Sequence, residues 1–345
     1  MKLIEAVSTT PREAIIQPYT EEPLAKGQVR VATQFAAAKH GTEFTIFRAQ
    51  DPQKDHHFDD ELNLFMPNTG IAEKPYFFRP GNMWVGLITE LGEDVQGVKV
   101  GERVAGYGKF RTTQTVPAAH LLKMPERMSW QEAVCYDPAQ FALGGVRDGD
   151  VRVGDNVVVS GLGAIGLIAA QLAKLAGARQ VIVFDPIAKR REVALENGAD
   201  AALDPTTEDV GLRIKELTGK RGADVIIETS GSYAALQACI RGVAYNGNIS
   251  VVGWYHECHG VLDLGREAHF NQPNILISRA CSEPNREYPR WDFKRICDTC
   301  WEMLAKGLIK CENIVYPVVP LEESAAAYME IEQNPAHSVK LGVQV

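Results

Sequence analysis

The chain has 345 residues, 45% of them hydrophobic, with 36 basic against 44 acidic side chains and a net charge of −8. That length allows two domains with sizeable cores, and the acidic balance without any dense Lys/Arg block argues against nucleic acid as a partner. No run approaches the ~18 apolar residues of a membrane span and the N-terminal stretch has no apolar signal core, so no membrane partner is expected and the expected compartment is the cytoplasm; the seven scattered cysteines fit reduced thiols there.

In chain order, "QVRVATQF", "VGLITELG" and "ERVAGYG" are short alternating runs separated by Gly and Pro turns, which predict an irregular antiparallel β unit. The pattern then changes. Val157 to Val159 lead into Gly161, Gly163 and Gly166, an apolar helix follows to near Gly177, and a second strand from Val181 to Phe184 closes at Asp185. In this spacing Gly161 permits the tight turn, Gly163 lets the backbone approach a pyrophosphate, and Gly166 lets helix and strand pack closely. Ala164 and Ile165 open the helix, whose free N–H groups and positive dipole end suit phosphates. Asp185 is placed to accept hydrogen bonds from an adenosine ribose and to repel a 2′-phosphate, which favours NAD over NADP. Arg190 just beyond could serve a 2′-phosphate instead; Lys189, Arg190 and Arg191 are read as a solvated helix start.

The alternation continues. "GADVIIETSG" predicts a strand ending at Glu228 to Gly231, "AALQACIRGVAYNG" a helix ending at Gly247, and "NISVVGW" a further strand. Helices alternating with apolar strands imply an α/β doubly wound parallel sheet of Rossmann type, with ligands at the carboxyl ends of its strands. Ser230, Gly231, Gly253 and Trp254 are therefore expected at the nicotinamide end. The C-terminal "PLEESAAAYMEIEQNPAHSVKLGVQV" predicts a helix, a turn and a last strand returning to the first unit.

Nearly the whole chain resembles the medium-chain dehydrogenase/reductase superfamily of alcohol and polyol dehydrogenases. The resemblance is carried by "KHGTE", "GNMWVGLITELGEDVQGVKVGERVAGY", the glycine-loop segment and "SVKLGV". "ALGGVRDG" and "REAHFNQPNILISRA" are similar to its bacteriochlorophyllide-dehydrogenase-like branch. The resemblance implies a catalytic GroES-like domain from both chain ends, residues 1–139 and 286–345, around a dinucleotide-binding domain of 140–285, with the active site in the cleft between them. It also implies a homodimer or homotetramer paired through an edge strand, here "PNILISRA".

For the catalytic zinc of this family, which needs three protein ligands and one open position, the sequence is short of donors. The first ligand position holds His40, the second holds Asn82 with Met83 beside it, and Asp137 of "YDPAQ" matches the third. The cysteine cluster of a structural zinc is missing from "YGKFRTTQTVPAAH". His56 or His57, or the His256, Cys258 and His259 of "HECHG", could supply a displaced ligand, but no metal centre is expected. Cys297 and Cys300 read as helix packing residues.

Without a metal, side-chain donors must manage the proton and the developing alkoxide charge. The candidates are His40 as acid/base, Asp137 orienting it, Thr42 at the family's proton-relay position, Lys39 with a pKa lowered by desolvation, and Asn82 donating its amide N–H; His269 is a weaker one. Glu43 and Lys340 match family positions that pair across the catalytic domain, so both are read as structural. Trp84, Tyr107, Trp254 and Tyr255 could wall a pocket for a hydroxylated small molecule. The expected activity is hydride transfer between NAD and a secondary alcohol or ketone. Two other readings stay open: a lyase or epimerase using a retained NAD for transient oxidation, and a non-catalytic NAD(H)-binding protein.

Overall fold

A computed structural model of the chain describes residues 2–51, 55–69, 75–255 and 262–345. The chain divides into two compact units, Met1–Met124 with Val315–Val345, and Pro125–Ile314. The boundary expected after residue 139 falls inside the helix Tyr136–Asp148, which packs on the helices Ala164–Leu175 and Phe293–Ala305 of the inner unit. Tyr136 meets Trp301 edge-on at 5.3 Å, so the helix Phe293–Ala305, expected in the flanking domain, also goes with the inner unit.

In the outer unit the alternating runs form one sheet in the order Val315–Pro320, Lys340–Gln344, Gln28–Ala37, Met83–Leu91, Arg103–Tyr107, Leu122–Lys123; Thr113–Pro117 also pairs with Gln28–Ala37. The C-terminal strand does return to this unit, with Gly342 opposite Ala37. Alternation puts one face inward. Trp84 is fully buried there and donates its indole N–H to the Tyr107 carbonyl at 2.9 Å. Around the fully buried Tyr328, the rings of Phe44 and Phe47 lie 4.9 and 5.1 Å away, centroid to centroid.

The inner sheet has six parallel strands in the order Ala201–Leu203, Gln180–Phe184, Asn156–Ser160, Ala223–Glu228, Val243–Val251, Asn274–Ile277. Val157–Val159 and Val181–Val183 are buried completely, as strands of a parallel sheet covered on both faces must be. The reversal of strand order lies between Asn156–Ser160 and Ala223–Glu228, where such sheets open a crevice at their carboxyl ends.

One predicted boundary moves. The helix expected to run to Gly247 stops at Gly242, and the strand begins at Val243. Gly242 sits so close to Ile214 that a Cβ would lie 2.6 Å from its Cδ1, and the β-branched Val243 then starts extended backbone. The register shift between Ala223 and Val225 absorbs the longer strand. Among the described residues no helix is long and apolar enough to cross a membrane.

Candidate active site

In the inner unit the three glycines do different work. Gly161 has φ +80°, and a Cβ there would lie 2.8 Å from Ser230. Gly166 is tighter still: its Cβ would fall 1.9 Å from the Gly161 carbonyl oxygen. Gly163 caps the helix Ala164–Leu175 without a side-chain hydrogen bond, and nothing lies within 4 Å of where its Cβ would be. An uncovered helix start of this kind, with Ala164 and Ile165 in its first turn, offers backbone N–H groups to an anion.

Asp185 is buried, and its carboxylate accepts from Leu162 N at 2.7 Å and from Ile187 N at 2.8 Å. The acid at the strand end thus braces the glycine loop. A correction applies to the basic run after it. Lys189 is exposed, but the side chains of Arg190 and Arg191 are only 17% and 18% exposed. Arg190 lies 3.7 Å from Asp185, with burial lowering its pKa, and Arg191 pairs with Asp204 at 2.8 Å. The three do open a helix, Ala188–Glu196, but carboxylates draw both arginines in, and of the run only Lys189 is solvated.

At the other end of the crevice, Glu228 is fully buried and organises two loops. Its carboxyl group accepts from Ser230 N at 2.8 Å, Gly231 N at 3.3 Å and the hydroxyls of Ser230 and Tyr255, the last at 2.7 Å. Its carbonyl oxygen accepts from Gly253 N at 3.0 Å. Ser230, Gly231, Gly253 and Trp254 are therefore brought together, with Trp254 46% exposed. Burial raises the pKa of Glu228, and burial beside that acid raises the Tyr255 phenol. The organising role of Glu228 was not foreseen; its signal is a carboxylate closing an otherwise apolar strand.

In the outer unit Lys39 precedes the helix His40–Phe47, whose first turn carries His40 and Thr42. Glu43 ties this turn to the start of the strand Met83–Leu91. Its two oxygens accept from Lys39 N at 2.6 Å and Gly81 N at 3.0 Å, and Tyr328 donates its hydroxyl to it at 3.2 Å. Asn82 N donates to Ala37 O at 2.9 Å, so Lys39, His40 and Asn82 converge at one sheet end. The His40 ring stacks on Phe44 at 5.1 Å, and its Nε2 accepts from Leu341 N at 3.4 Å, which places the proton of the neutral ring on Nδ1. Lys340 is buried and donates to Ala38 O at 2.5 Å, in keeping with a structural role. Asp137 lies in the inner unit, buried in the first turn of Tyr136–Asp148.

The remaining candidates disperse. His56 and His57 sit on an exposed hairpin, with His57 Nδ1 3.0 Å from Asn68 Oδ1. His269 is exposed. Cys300 is buried and Cys297 half-buried on the helix Phe293–Ala305, burial raising both thiols. The His256, Cys258 and His259 segment lies outside the described residues. Tyr107 is 47% exposed, whereas Trp84 is core and walls no pocket.

These donors do not fit a catalytic zinc. Among the described residues no three His, Cys, Asp or Glu side chains are grouped to hold a metal. The second ligand position is a neutral amide, and the neighbouring Met83 is fully buried and apolar.

Comparison with known proteins agrees with the fold. A family model described as "Zinc-binding dehydrogenase" matches residues 164–294. D-guloside 3-dehydrogenase of Escherichia coli K12 is 50% identical over 344 residues, covering 98% of each chain. The solved structure of galactitol-1-phosphate dehydrogenase from Escherichia coli superposes with a TM-score of 0.77 at 17% identity, covering 99% of this chain and 100% of that one. The 2R,3R-butanediol dehydrogenase of Bacillus subtilis gives 0.76 at 20% identity, covering 99% of both. A doubly wound sheet with a glycine loop and terminal acid, together with a GroES-like β unit in the same chain, is the architecture of the nicotinamide-dependent oxidoreductases of this class. The chain belongs to the medium-chain dehydrogenase/reductase family and exchanges a hydride between NAD(P) and a secondary alcohol or ketone.

Proposed function

We propose that the protein is an NAD-dependent, zinc-independent dehydrogenase that interconverts the C3 carbinol of a hexopyranoside, of the D-guloside type, with its 3-ketone. The observation carrying this reading is the 50% identity to a D-guloside 3-dehydrogenase along 98% of both chains. In oxidation the C–H hydrogen leaves with its electron pair for nicotinamide C4, the C–O bond becomes a carbonyl, and the hydroxyl proton passes to a base. Gly161, Gly163, Ala164, Ile165 and Gly166 take the pyrophosphate, Asp185 the adenosine ribose, and Ser230, Gly253 and Trp254 border the nicotinamide. The buried carboxylate of Asp185 disfavours a 2′-phosphate, and Arg190 beside it is partly neutralised by that acid. His40 is the acid/base: with Phe44 stacked on its ring, Nε2 takes the substrate proton in place of its long 3.4 Å contact with Leu341 N, and Thr42 and Lys39 on the same turn assist the proton. We place the enzyme in the cytoplasm as a homo-oligomer.

The test is a coupled screen of NAD and NADP against methyl hexopyranosides, polyols and cyclic alcohols, with metal analysis of the same preparation. Metal-free protein is expected to form NADH in step with a 3-ketoglycoside identified by NMR. His40→Ala should lower kcat by about 100-fold or more while NADH affinity stays within about twofold. Activity that depends on bound zinc, or product without net NADH, would overturn the reading.

A further inference from the structure

We propose that Glu228 balances the positive charge of the oxidised nicotinamide ring. Its carboxyl group holds a proton in the free enzyme, which binding of NAD+ drives out by way of the Tyr255 hydroxyl and binding of NADH, whose ring is neutral, leaves in place. This rests on the reading above that sets the nicotinamide against Ser230, Gly253 and Trp254, and names what lies behind those residues. Glu228 is fully buried at the carboxyl end of its strand, and no cation is paired with it among the described residues. An ionised carboxyl group in such a place is costly, and a positive charge brought near it is correspondingly favoured. The loops that border the ring in this reading touch the acid directly. Ser230 N donates to Oε1 at 2.8 Å, Gly253 N donates to the Glu228 carbonyl at 3.0 Å, and a Cβ on Gly253 would lie 2.9 Å from Oε2.

The two carboxyl oxygens are held differently, which picks out the atom that carries the proton. Oε1 accepts from Ser230 N, from the Ser230 hydroxyl and from Ser160 Oγ at 3.3 Å. Oε2 has only the long Gly231 N–H at 3.3 Å and the Tyr255 hydroxyl at 2.7 Å. A backbone N–H cannot turn round, but a phenol both donates and accepts. Tyr255 Oη also lies 3.3 Å from the carbonyl oxygen of Ser232, an exposed residue. With Oε2 protonated, Tyr255 accepts from it and donates outward to Ser232 O; with Oε2 ionised, the phenol turns its hydrogen inward. The proton thus has a way from a buried oxygen to the surface. The other groups facing the acid carry no charge: Tyr233 stands edge-on to Tyr255 at 4.9 Å, and Cys239 of the helix Tyr233–Gly242 is a thiol that burial keeps protonated.

Two binding measurements test this without substrate. NADH affinity is read from its fluorescence and NAD+ affinity from displacement of NADH, so the phosphates and adenine common to both cancel in the ratio. For wild type the Kd of NAD+ relative to that of NADH should fall at least about fivefold between about pH 6 and about pH 9. In weakly buffered solution with an indicator dye, saturation with NAD+ should release protons and saturation with NADH none. Glu228→Gln, which keeps the shape of the protonated acid, should flatten the ratio and abolish the release while NADH affinity stays within about twofold. Tyr255→Phe takes a donor from the ionised form, so its ratio should fall at higher pH than in wild type, and it decides alone if the Gln variant does not fold. A wild-type ratio constant with pH, equal release with NADH, a Gln variant that releases protons as wild type does, or a Phe variant whose change does not move to higher pH would overturn the assignment. These shifts without oxidation of any alcohol would remove the proposed reaction and leave the charge balance standing.

Discussion

Glu228 illustrates how one side chain joins sheet to site. It is a fully buried acid that accepts from hydroxyl and amide donors of the loops after two adjacent strands and so holds them. Burial raises its pKa in spite of those donors. A carboxyl group whose pKa is higher folded than unfolded supports the fold fully below its unfolded value of about 4.3, and that support is lost as pH rises through the folded value. Glu228→Gln keeps the shape without the titration. The melting temperature of this variant relative to wild type should therefore improve as pH rises above about 4, followed by differential scanning fluorimetry. A difference that stays constant with pH would show that Glu228 does not titrate in this range. Tyr255, bonded to the same carboxyl, was foreseen only as an aromatic wall; its partner is 27 positions away and invisible to any local pattern.

At the level of elements, the glycine loop separates two demands that the same residue type meets. Gly166→Ala would place a methyl 1.9 Å from the Gly161 oxygen, so the helix Ala164–Leu175 must move off its strand. The expected result is a loss of about 1–3 kcal/mol or more and failure to bind NADH. Gly163→Ala meets nothing within 4 Å, so it should fold normally and lower NADH affinity by crowding the pyrophosphate alone. Thermal melts with fluorescence titration distinguish the two; equal melting temperatures for both variants would contradict the packing argument. This loop was legible in the sequence because strand, turn and helix are contiguous and each glycine acts on near neighbours. The outer-unit site was legible only as a set of residue types. Its assembly depends on Glu43 bridging Lys39 N to Gly81 N, 38 positions from Glu43, and on Tyr328, 285 positions away. The motif "KHGTE" gave no helix signal, yet the Lys39 carbonyl accepts from Glu43 N and starts one. The depth of Arg190 was misjudged for a related reason, since a basic run looks solvated until the carboxylates that draw it inward are placed.

For the whole molecule, the strand Asn274–Ile277 ends the parallel sheet, with Ile275 41% and Ile277 66% exposed. An apolar strand edge in this position invites pairing with a second copy. For the homo-oligomer proposed above, light scattering should show Ile277→Lys to be a monomer with NADH affinity retained; a variant with the wild-type oligomeric mass would place the interface elsewhere. The pairing of Gly342 with Ala37 has a different consequence, one that concerns synthesis. During translation the inner segment leaves the ribosome as one uninterrupted stretch, while the Phe35–Ala37 end of the strand Gln28–Ala37 waits, one side bare, for a neighbour made some 300 codons later. Nascent chains halted short of that last neighbour carry a finished nucleotide fold beside an unsealed β-edge, which makes them prime clients for chaperones and proteases.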